Sequence, residues 1–213
     1  MGKALAPRVS ARMGKALYEL GGNNGMIVSR HANIDLAVRG IVFGAVGTAG
    51  QRCTTLRRLI VHTSVYDVLM TKLKSAYASL PVGDNFKEET LVGPLINQES
   101  VDRMQSALEQ AKAKGYTVHG GEVVDGCSVR PAIVEATEQC DLIKTETFAP
   151  ILYVLKYSDL DEAINIHNAV PQGLSSCIFT DNVQEAETFT SAVGSDCGIV
   201  NINIGPSLSL IHI

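Results

Sequence analysis

The stretch TAGQRCTT, residues 48–55, surrounds Cys53 with residues that could support covalent chemistry. A thiolate is a strong nucleophile, and a neighbouring cation favours the thiolate over the thiol. Arg52 supplies such a cation, and the small or hydroxyl-bearing neighbours leave room for a substrate and for backbone N–H donors. Cys53 is therefore the candidate nucleophile of this chain.

The remaining cysteines and the histidines show no spacing that indicates a site. Cys177 and Cys197 fall in apolar runs typical of core strands, whereas Cys127 and Cys140 lie in polar stretches. No CxxC pair occurs and the histidines are scattered singly, so the spacing predicts no metal site. An odd number of unpaired cysteines indicates reduced thiols, as in a cytosolic protein.

Two further segments place a carboxylate beside turn-forming or rigid residues. In YELGGNNG, Glu19 precedes a Gly-Gly bend, either as an exposed helix end or as a general base. In KTETFAPILYV, Glu146 and Phe148 are two residues apart, and an extended backbone would direct both side chains into one pocket. An exposed glutamate beside a core phenylalanine is the alternative for that pair. The chain has neither GxGxxG nor GxxxxGK[ST], so no phosphate-binding loop is identified.

Apolar periodicity predicts strands that alternate with helices. A helix over 34–46 runs into a glycine-containing bend just before Cys53, and a second helix over 99–115 ends at Gly115. An apolar strand is predicted to close the chain over 196–204. Strand–helix pairs are predicted over 56–80, 149–168 and 173–194. This order predicts an α/β fold with a largely parallel sheet covered by helices.

Composition excludes several classes of partner. The chain has 213 residues, 46% of them hydrophobic, which is enough for a real core. A formal net charge of −4 without a basic stripe argues against nucleic acid. No apolar run reaches the ~18 residues of a membrane helix, and the first residues lack the apolar core of a signal peptide. We therefore expect a cytoplasmic protein with a small-molecule partner, no nucleic acid and no membrane.

Six segments, in this order and spacing, resemble the NAD(P)-dependent aldehyde dehydrogenase superfamily. They are ELGGNN, GTAGQRCTT, VGPLI, ETFAPILYV, PQGLSSCIFT and GSDCGIVNINI. The details are most similar to the antiquitin group, whose members oxidise 2-aminoadipate 6-semialdehyde, in equilibrium with piperideine-6-carboxylate, and are homotetramers. The resemblance covers about residues 1–204 and implies a three-layer catalytic domain that uses NAD or NADP.

The resemblance implies roles for particular residues. Cys53 matches the nucleophile that forms a thiohemiacetal and then a thioester, and Glu19 matches the base that activates the hydrolytic water. Arg52 and Thr54 flank the nucleophile where the group contacts its amino-acid aldehyde, and the arginine could pair with the α-carboxylate. The implied cofactor contacts are Gly2, Leu20, Glu146 and Phe148.

The chain also departs from the family, whose members are considerably longer. We expect 1–22 to be the remnant of a dinucleotide-binding domain, 23–204 the catalytic domain and 205–213 a tail outside the family pattern. Most of the cofactor site would then be absent, and the isolated chain would not turn over. Two alternatives stay open: a cofactor-independent cysteine esterase that uses Cys53 and Glu19, and a non-catalytic fragment that associates through an exposed edge strand.

Overall fold

A computed structural model describes residues 1–207 of the chain, so that 208–213, the end of the predicted tail, lie outside the described residues. The strands in chain order are β1 (Asn24–Val28), β2 (Leu56–His62), β3 (Thr117–Gly120), β4 (Val123–Asp125), β5 (Ser128–Val129), β6 (Ala132–Glu135), β7 (Ile151–Tyr157), β8 (Ser175–Phe179) and β9 (Ile199–Ile202). Seven of them form one sheet in the order β3-β6-β7-β2-β1-β8-β9, and β4 pairs with β5 in a separate ribbon. The pairs of the large sheet are parallel except for β3 with β6. The predicted largely parallel sheet is confirmed.

Helices connect the parallel strands. In chain order they are α1 (Gly2–Ala11), α2 (Ile34–Val46), α3 (Thr63–Ala78), α4 (Gln98–Ala113), α5 (Asp141–Lys144), α6 (Leu160–Asn168) and α7 (Val183–Thr190). Polar side chains cap several of them: Asn33 accepts from the Leu36 N–H at the start of α2, and Asp159 accepts from the Glu162 N–H at the start of α6. Within residues 1–207, no helix has both the length and the apolar character needed to cross a membrane.

Alternate residues of the central strands face two separate hydrophobic clusters. In β2, Leu59 and Val61 belong to a cluster that includes residues of α2, α3 and α4, whereas Ile60 belongs to one that includes residues of α6 and α7. The neighbouring strand β1 divides in the same way, with Ile27 in the second cluster. Because helices cover both faces, these strands are nearly continuous apolar runs. The predicted three-layer α/β architecture is confirmed.

Most predicted elements are observed, but the predicted place of Cys197 in a core strand is wrong. The helix predicted over 34–46 has the bounds of α2, and the strand over 56–62 those of β2. The closing strand is shorter than predicted, because its ladder with β8 begins at Ile199. Cys197 therefore lies two residues before the strand and is only half-buried, so its expected place in a core strand is corrected. Cys177 does lie in a core strand and is fully buried.

Candidate active site

The loop before Cys53 is a tight left-handed turn. Helix α2 ends at Val46 and leads directly into a 3-10 turn over Gly47–Gly50. Thr48 and Ala49 have φ values of 55° and 51°, and Gly50 has a φ of 70°. A Cβ on Gly50 would lie 2.5 Å from the carbonyl carbon of Ala149, so the turn packs against the segment that carries Phe148. The predicted glycine-containing bend is confirmed.

Cys53 is half-buried and its backbone is held by the start of β1. Asn24 Nδ2 donates to the carbonyl of Cys53 at 2.8 Å and to that of Thr55 at 2.7 Å. A Cβ on Gly22 would lie 2.5 Å from the Cys53 carbonyl oxygen, so the chain just after Glu19 passes directly beside the cysteine loop. Two segments about thirty residues apart in sequence thus meet at the candidate nucleophile.

The carboxylate of Glu146 is fixed against the same glycine turn. Its Oε1 accepts from the Gly22 N–H at 3.2 Å and pairs with Arg57 Nη2 at 3.4 Å. Its Oε2 lies only 1.8 Å from the place of a Cβ on Gly21, so a larger residue there would displace the carboxylate. Glu146 is therefore held in one orientation against the glycine turn.

Arg57 is a buried residue that sequence analysis missed. Its guanidinium lies 5.4 Å from the centre of the Phe148 ring, in cation–π geometry. Burial lowers the pKa of Arg57, and the adjacent Glu146 opposes that shift. The remaining donors go to the backbone carbonyls of Gly22, Gly50 and Arg52. An arginine within the apolar run LRRLIVH was the available signal, since a buried charge needs partners.

Phe148 does not adopt the extended backbone that sequence analysis assumed. Its φ is 59°, in the left-handed region, and its side chain is 38% exposed. The expectation that Glu146 and Phe148 share a face through strand alternation is therefore wrong, and so is the alternative of a core phenylalanine. The two side chains are instead brought together by their common contact with Arg57.

A cleft of about 450 Å³ lies between Glu146 and the segment that carries Glu19. Glu19, Leu20 and Glu146 line it, and Glu19 is exposed. Gly2 supports the cleft from beneath, because its Cβ would lie 3.0 Å from Leu20 Cδ1. Gln172 also lines the cleft, and its Oε1 is buried without a partner among residues 1–207. The fold thus gathers four residues predicted from the sequence, and it adds Gln172, which the sequence did not indicate.

Arg52 and Thr54 lie elsewhere. The guanidinium of Arg52 stacks on the exposed ring of Phe43 at 5.6 Å, and its Nε donates to the hydroxyl of Thr48. It lines a separate, mainly apolar cleft of about 560 Å³ between α2 and α3. Thr54 is buried. The predicted substrate residues therefore do not face the cleft that contains Glu19 and Glu146.

The acceptor pattern of the first cleft suits the hydroxyl groups of a sugar. Glu146 contributes a carboxylate acceptor and Gln172 an amide to its wall, and the partly exposed ring of Phe148 lies against Arg57, the partner of Glu146. An ionised carboxylate accepts but does not donate, so it binds a diol and disfavours a phosphate. These residues fit the ribose end of a nicotinamide nucleotide.

The sequence of the chain matches those of known proteins. A sequence profile of the aldehyde dehydrogenase family matches residues 1–211. A homolog of aldehyde dehydrogenase family 7 member A1 from Caenorhabditis elegans is 49% identical over 213 residues, which covers 97% of this chain and 40% of that protein. An alpha-aminoadipic semialdehyde dehydrogenase from Bos taurus is 46% identical over 211 residues, which covers 97% of this chain and 39% of that protein.

Solved structures show the same fold. PnpE from Pseudomonas sp. WBC-3, in complex with nicotinamide adenine dinucleotide, superposes with a TM-score of 0.92 at 30% identity, covering 98% of this chain and 44% of that one. Succinate-semialdehyde dehydrogenase from Burkholderia pseudomallei gives a TM-score of 0.91 at 29% identity, covering 98% and 43%. The chain spans about 40% of the length of the curated relatives it matches.

The resemblance read from the six sequence segments, to this family and to its alpha-aminoadipic semialdehyde dehydrogenases, is confirmed by these matches. The profile also includes residues 205–211 of the predicted tail, in which Pro206 is buried and packs beside Gly44 of α2. Profile, identity and fold agree over nearly the whole chain. The chain belongs to the aldehyde dehydrogenase family.

Proposed function

We propose that this chain carries the catalytic cysteine of an NAD(P)-dependent enzyme that oxidises 2-aminoadipate 6-semialdehyde to the carboxylic acid. One observation carries the proposal: Arg57 joins the cysteine loop, the glycine turn after Glu19 and the Glu146–Phe148 segment into one unit. The substrate is supported by 46% identity to a protein named for that aldehyde.

The chemistry assigned to the chain's own residues is nucleophilic. The Cys53 thiolate adds to the aldehyde carbon, and hydrogen-bond donors stabilise the resulting oxyanion. Glu19, exposed at the rim of the cleft, is proposed to deprotonate the water that hydrolyses the Cys53 thioester. The proximity of Gly22 to the Cys53 carbonyl supports this pairing, because it brings the Glu19 segment beside the cysteine loop.

Bound NAD(P) supplies the hydride acceptor. Glu146 is proposed to accept from the nicotinamide ribose, Phe148 to contact the nicotinamide ring, and Leu20 with Gly2 to form the adjoining wall of the cleft. These contacts cover only the nicotinamide half of the cofactor, so we expect the isolated chain not to reduce NAD(P).

Arg52 is proposed to select the substrate. Its guanidinium is held by Phe43 and Thr48 at the edge of an apolar cleft, where it can pair with a carboxylate at the far end of a short aliphatic chain. Thr54 is buried, so we propose that it shapes the cysteine loop. For the longer protein we propose a cytoplasmic homotetramer, whose assembly state sedimentation would test.

The experiment that tests the proposal measures alkylation of each cysteine by mass spectrometry, with and without aldehyde. Cys53 should react faster than Cys127 and Cys140, and 2-aminoadipate 6-semialdehyde should slow it by occupying the sulfur as a thiohemiacetal. Hexanal, which lacks the amino-acid end, should protect more weakly. The variant Arg52→Gln should lose the difference in protection between the two aldehydes.

Equal labelling of these cysteines, with no protection by either aldehyde, would contradict the proposed nucleophile. Absorbance of reduced nicotinamide, with Cys53→Ala as the blank, tests the redox step separately. The esterase alternative predicts a burst of product from an activated ester without NAD(P), which the same variant would abolish.

A further inference from the structure

Three potential metal ligands meet at the end of α6, in a place that their sequence positions did not suggest. His167 is the penultimate residue of that helix, and Asp196 and Cys197 lie in the loop before β9. The Cys197 Sγ lies 3.6 Å from His167 Nε2 and 4.0 Å from Asp196 Oδ1. One ligand atom from each of the three residues lies within 4.8 Å of the others.

We propose that His167, Asp196 and Cys197 form a binding site for a zinc-like divalent cation. Tetrahedral zinc has Zn–N and Zn–O distances of ~2.0–2.2 Å and a Zn–S distance of ~2.3 Å, so its ligand atoms are ~3.5 Å apart. The observed separations of the sulfur from its two neighbours are close to that spacing. Imidazole, thiolate and carboxylate together suit zinc rather than magnesium or calcium.

The loop that carries two of the ligands is held in place by the end of α6. Asn168 Nδ2 donates to the carbonyl of Gly194 at 2.8 Å, and Asn168 Oδ1 accepts from the Asp196 N–H at 3.2 Å. The Ser195 N–H donates to the carbonyl of Phe189 at 2.9 Å. Because these bonds fix both ends of the short loop, little conformational entropy is lost when a cation binds.

The imidazole of His167 is rigid, whereas the other two ligands can reach solvent. His167 is buried, and its Nδ1 lies 2.4 Å from the place of a Cβ on Gly25, so the ring fits only because that residue is glycine. Nε2 is directed at the loop, where Ser195 Oγ lies 2.9 Å away. Cys197 is half-buried and Asp196 is exposed, which leaves an entry path and an open coordination position.

A bound cation would compete with the positive charge of Arg58 for the nearby acidic groups. Arg58 is buried and donates to the carbonyls of Ile166 and His167, and Cys197 and Asp196 are its nearby acidic groups. We therefore expect a site that fills when metal is added and is empty after purification without metal. Binding would release the thiol proton of Cys197 to solvent.

The site is separate from the cleft assigned to the aldehyde dehydrogenase reaction. None of the three ligands lines the cleft of Glu19 and Glu146. The two regions are connected through the start of β1, where Gly25 contacts His167 and the preceding Asn24 holds the Cys53 carbonyl. Metal binding can therefore be tested without reference to aldehyde oxidation.

The test is a Co²⁺ titration of the full 213-residue chain after chelator treatment. A thiolate-to-cobalt charge-transfer band and the intense d–d bands of tetrahedral cobalt should saturate at one ion per chain and disappear when Zn²⁺ is added. Cys197→Ser should abolish the charge-transfer band, and Asp196→Asn should weaken binding at least tenfold. Both positions are at least partly exposed, so these variants should fold, as circular dichroism would verify.

Cys140→Ser is the matched control. Cys140 is also half-buried, but its thiol lies beside the hydroxyl of Tyr116 and not among the proposed ligands. This variant should bind cobalt like the parent chain. Absence of the cobalt spectrum in the parent chain would overturn the proposal, and so would an unchanged spectrum in folded Cys197→Ser. Loss of the band in Cys140→Ser would also overturn it, since the thiolate would then come from another place.

Discussion

Two adjacent arginines of β2 connect the central sheet to the candidate active site and to the proposed metal site. Arg57 contacts Glu146 and Phe148 beside the cysteine loop, and Arg58 donates to Asn23 and to the end of α6 near His167. Successive residues of a strand point to opposite faces, so the pair serves both sides of the sheet. Each guanidinium is buried and is satisfied mainly by backbone carbonyls.

Replacing Arg57 with methionine should destabilise the fold strongly. The change removes the donor to the carbonyls of Gly50 and Arg52 and leaves the Glu146 carboxylate without its cation, so that the Gly22 N–H remains as its donor. Removing one partner of a buried ion pair typically costs about 3–5 kcal/mol in the free energy of unfolding. Urea denaturation followed by circular dichroism measures it.

The matched control for that change is Arg103→Met on the surface of α4. Arg103 pairs with Glu99 one helical turn away, and both side chains are more than half exposed. Exposed pairs contribute about 0.3–0.5 kcal/mol, so the midpoint should barely move. Equal losses in the two variants would show that Arg57 does not organise the site.

At the scale of elements, the parallel strands bring the candidate active-site residues together because the amino ends of these strands lie on the same side of the sheet. The segments before β1, β2 and β7 carry Glu19, Cys53 and Glu146 respectively. A different polar cluster lies on the opposite side, at the carboxyl end of β6. There Glu135 accepts from Tyr66, His119 and Lys74, each at 2.7 Å.

Glu135 should make the free energy of unfolding depend on pH. Burial would raise its pKa, but the hydrogen bonds from Lys74, Tyr66 and His119 outweigh that effect and lower it to about 2, below its ordinary 4.5. Because the folded pKa is the lower one, the stabilisation is complete above about pH 4.5 and is lost as the pH falls towards 2. Glu135→Gln should therefore lower the urea midpoint at neutral pH, and the difference from the parent chain should close by about pH 2.

The corresponding control is Glu99→Gln, whose carboxylate lies in an exposed helical pair. Its midpoint should follow the parent chain across the same pH range. A difference for Glu135→Gln that stays constant with pH would contradict the role assigned to the carboxylate charge.

At the scale of the molecule, one sheet connects the cysteine loop, the arginine pair and the far edge strands. The two hydrophobic clusters on its faces share the central strands, so we expect the sheet to unfold as a unit. Cys177 lies in β8, between β1 and the edge strand β9. It is fully buried, and burial raises the pKa of its thiol.

Thiol labelling should therefore separate Cys177 from the other cysteines. Its alkylation should follow global unfolding and accelerate with urea in proportion to the unfolded population. Cys127 and Cys140, which are half-buried in connecting segments, should react in native buffer. Peptide mass spectrometry after timed quenching measures both rates. Rapid labelling of Cys177 without urea would mean that the β8 edge opens independently of the rest of the sheet.

The amino-acid sequence was enough to predict the alternation of strands with helices, the largely parallel sheet and the turn before Cys53. Apolar periodicity is a local property, so α2 and β2 could be placed within their observed bounds, and the glycines before Cys53 indicated the turn. The six family segments depend on residue order alone, and they led to the family that the comparisons confirm. Each of these conclusions depends on neighbours along the chain.

The grouping of distant residues into one site depends on the packing of the folded chain. Arg57 could be recognised as the link between the cysteine loop and Glu146, more than eighty residues away, only from their contacts in the folded chain. The left-handed backbone of Phe148 is stabilised by packing that strand periodicity does not encode. His167 and Cys197 are thirty residues apart, and they meet because α6 ends beside the loop before β9. Burial and long-range contact arise from the packing of elements against one another, and a local pattern carries no record of them.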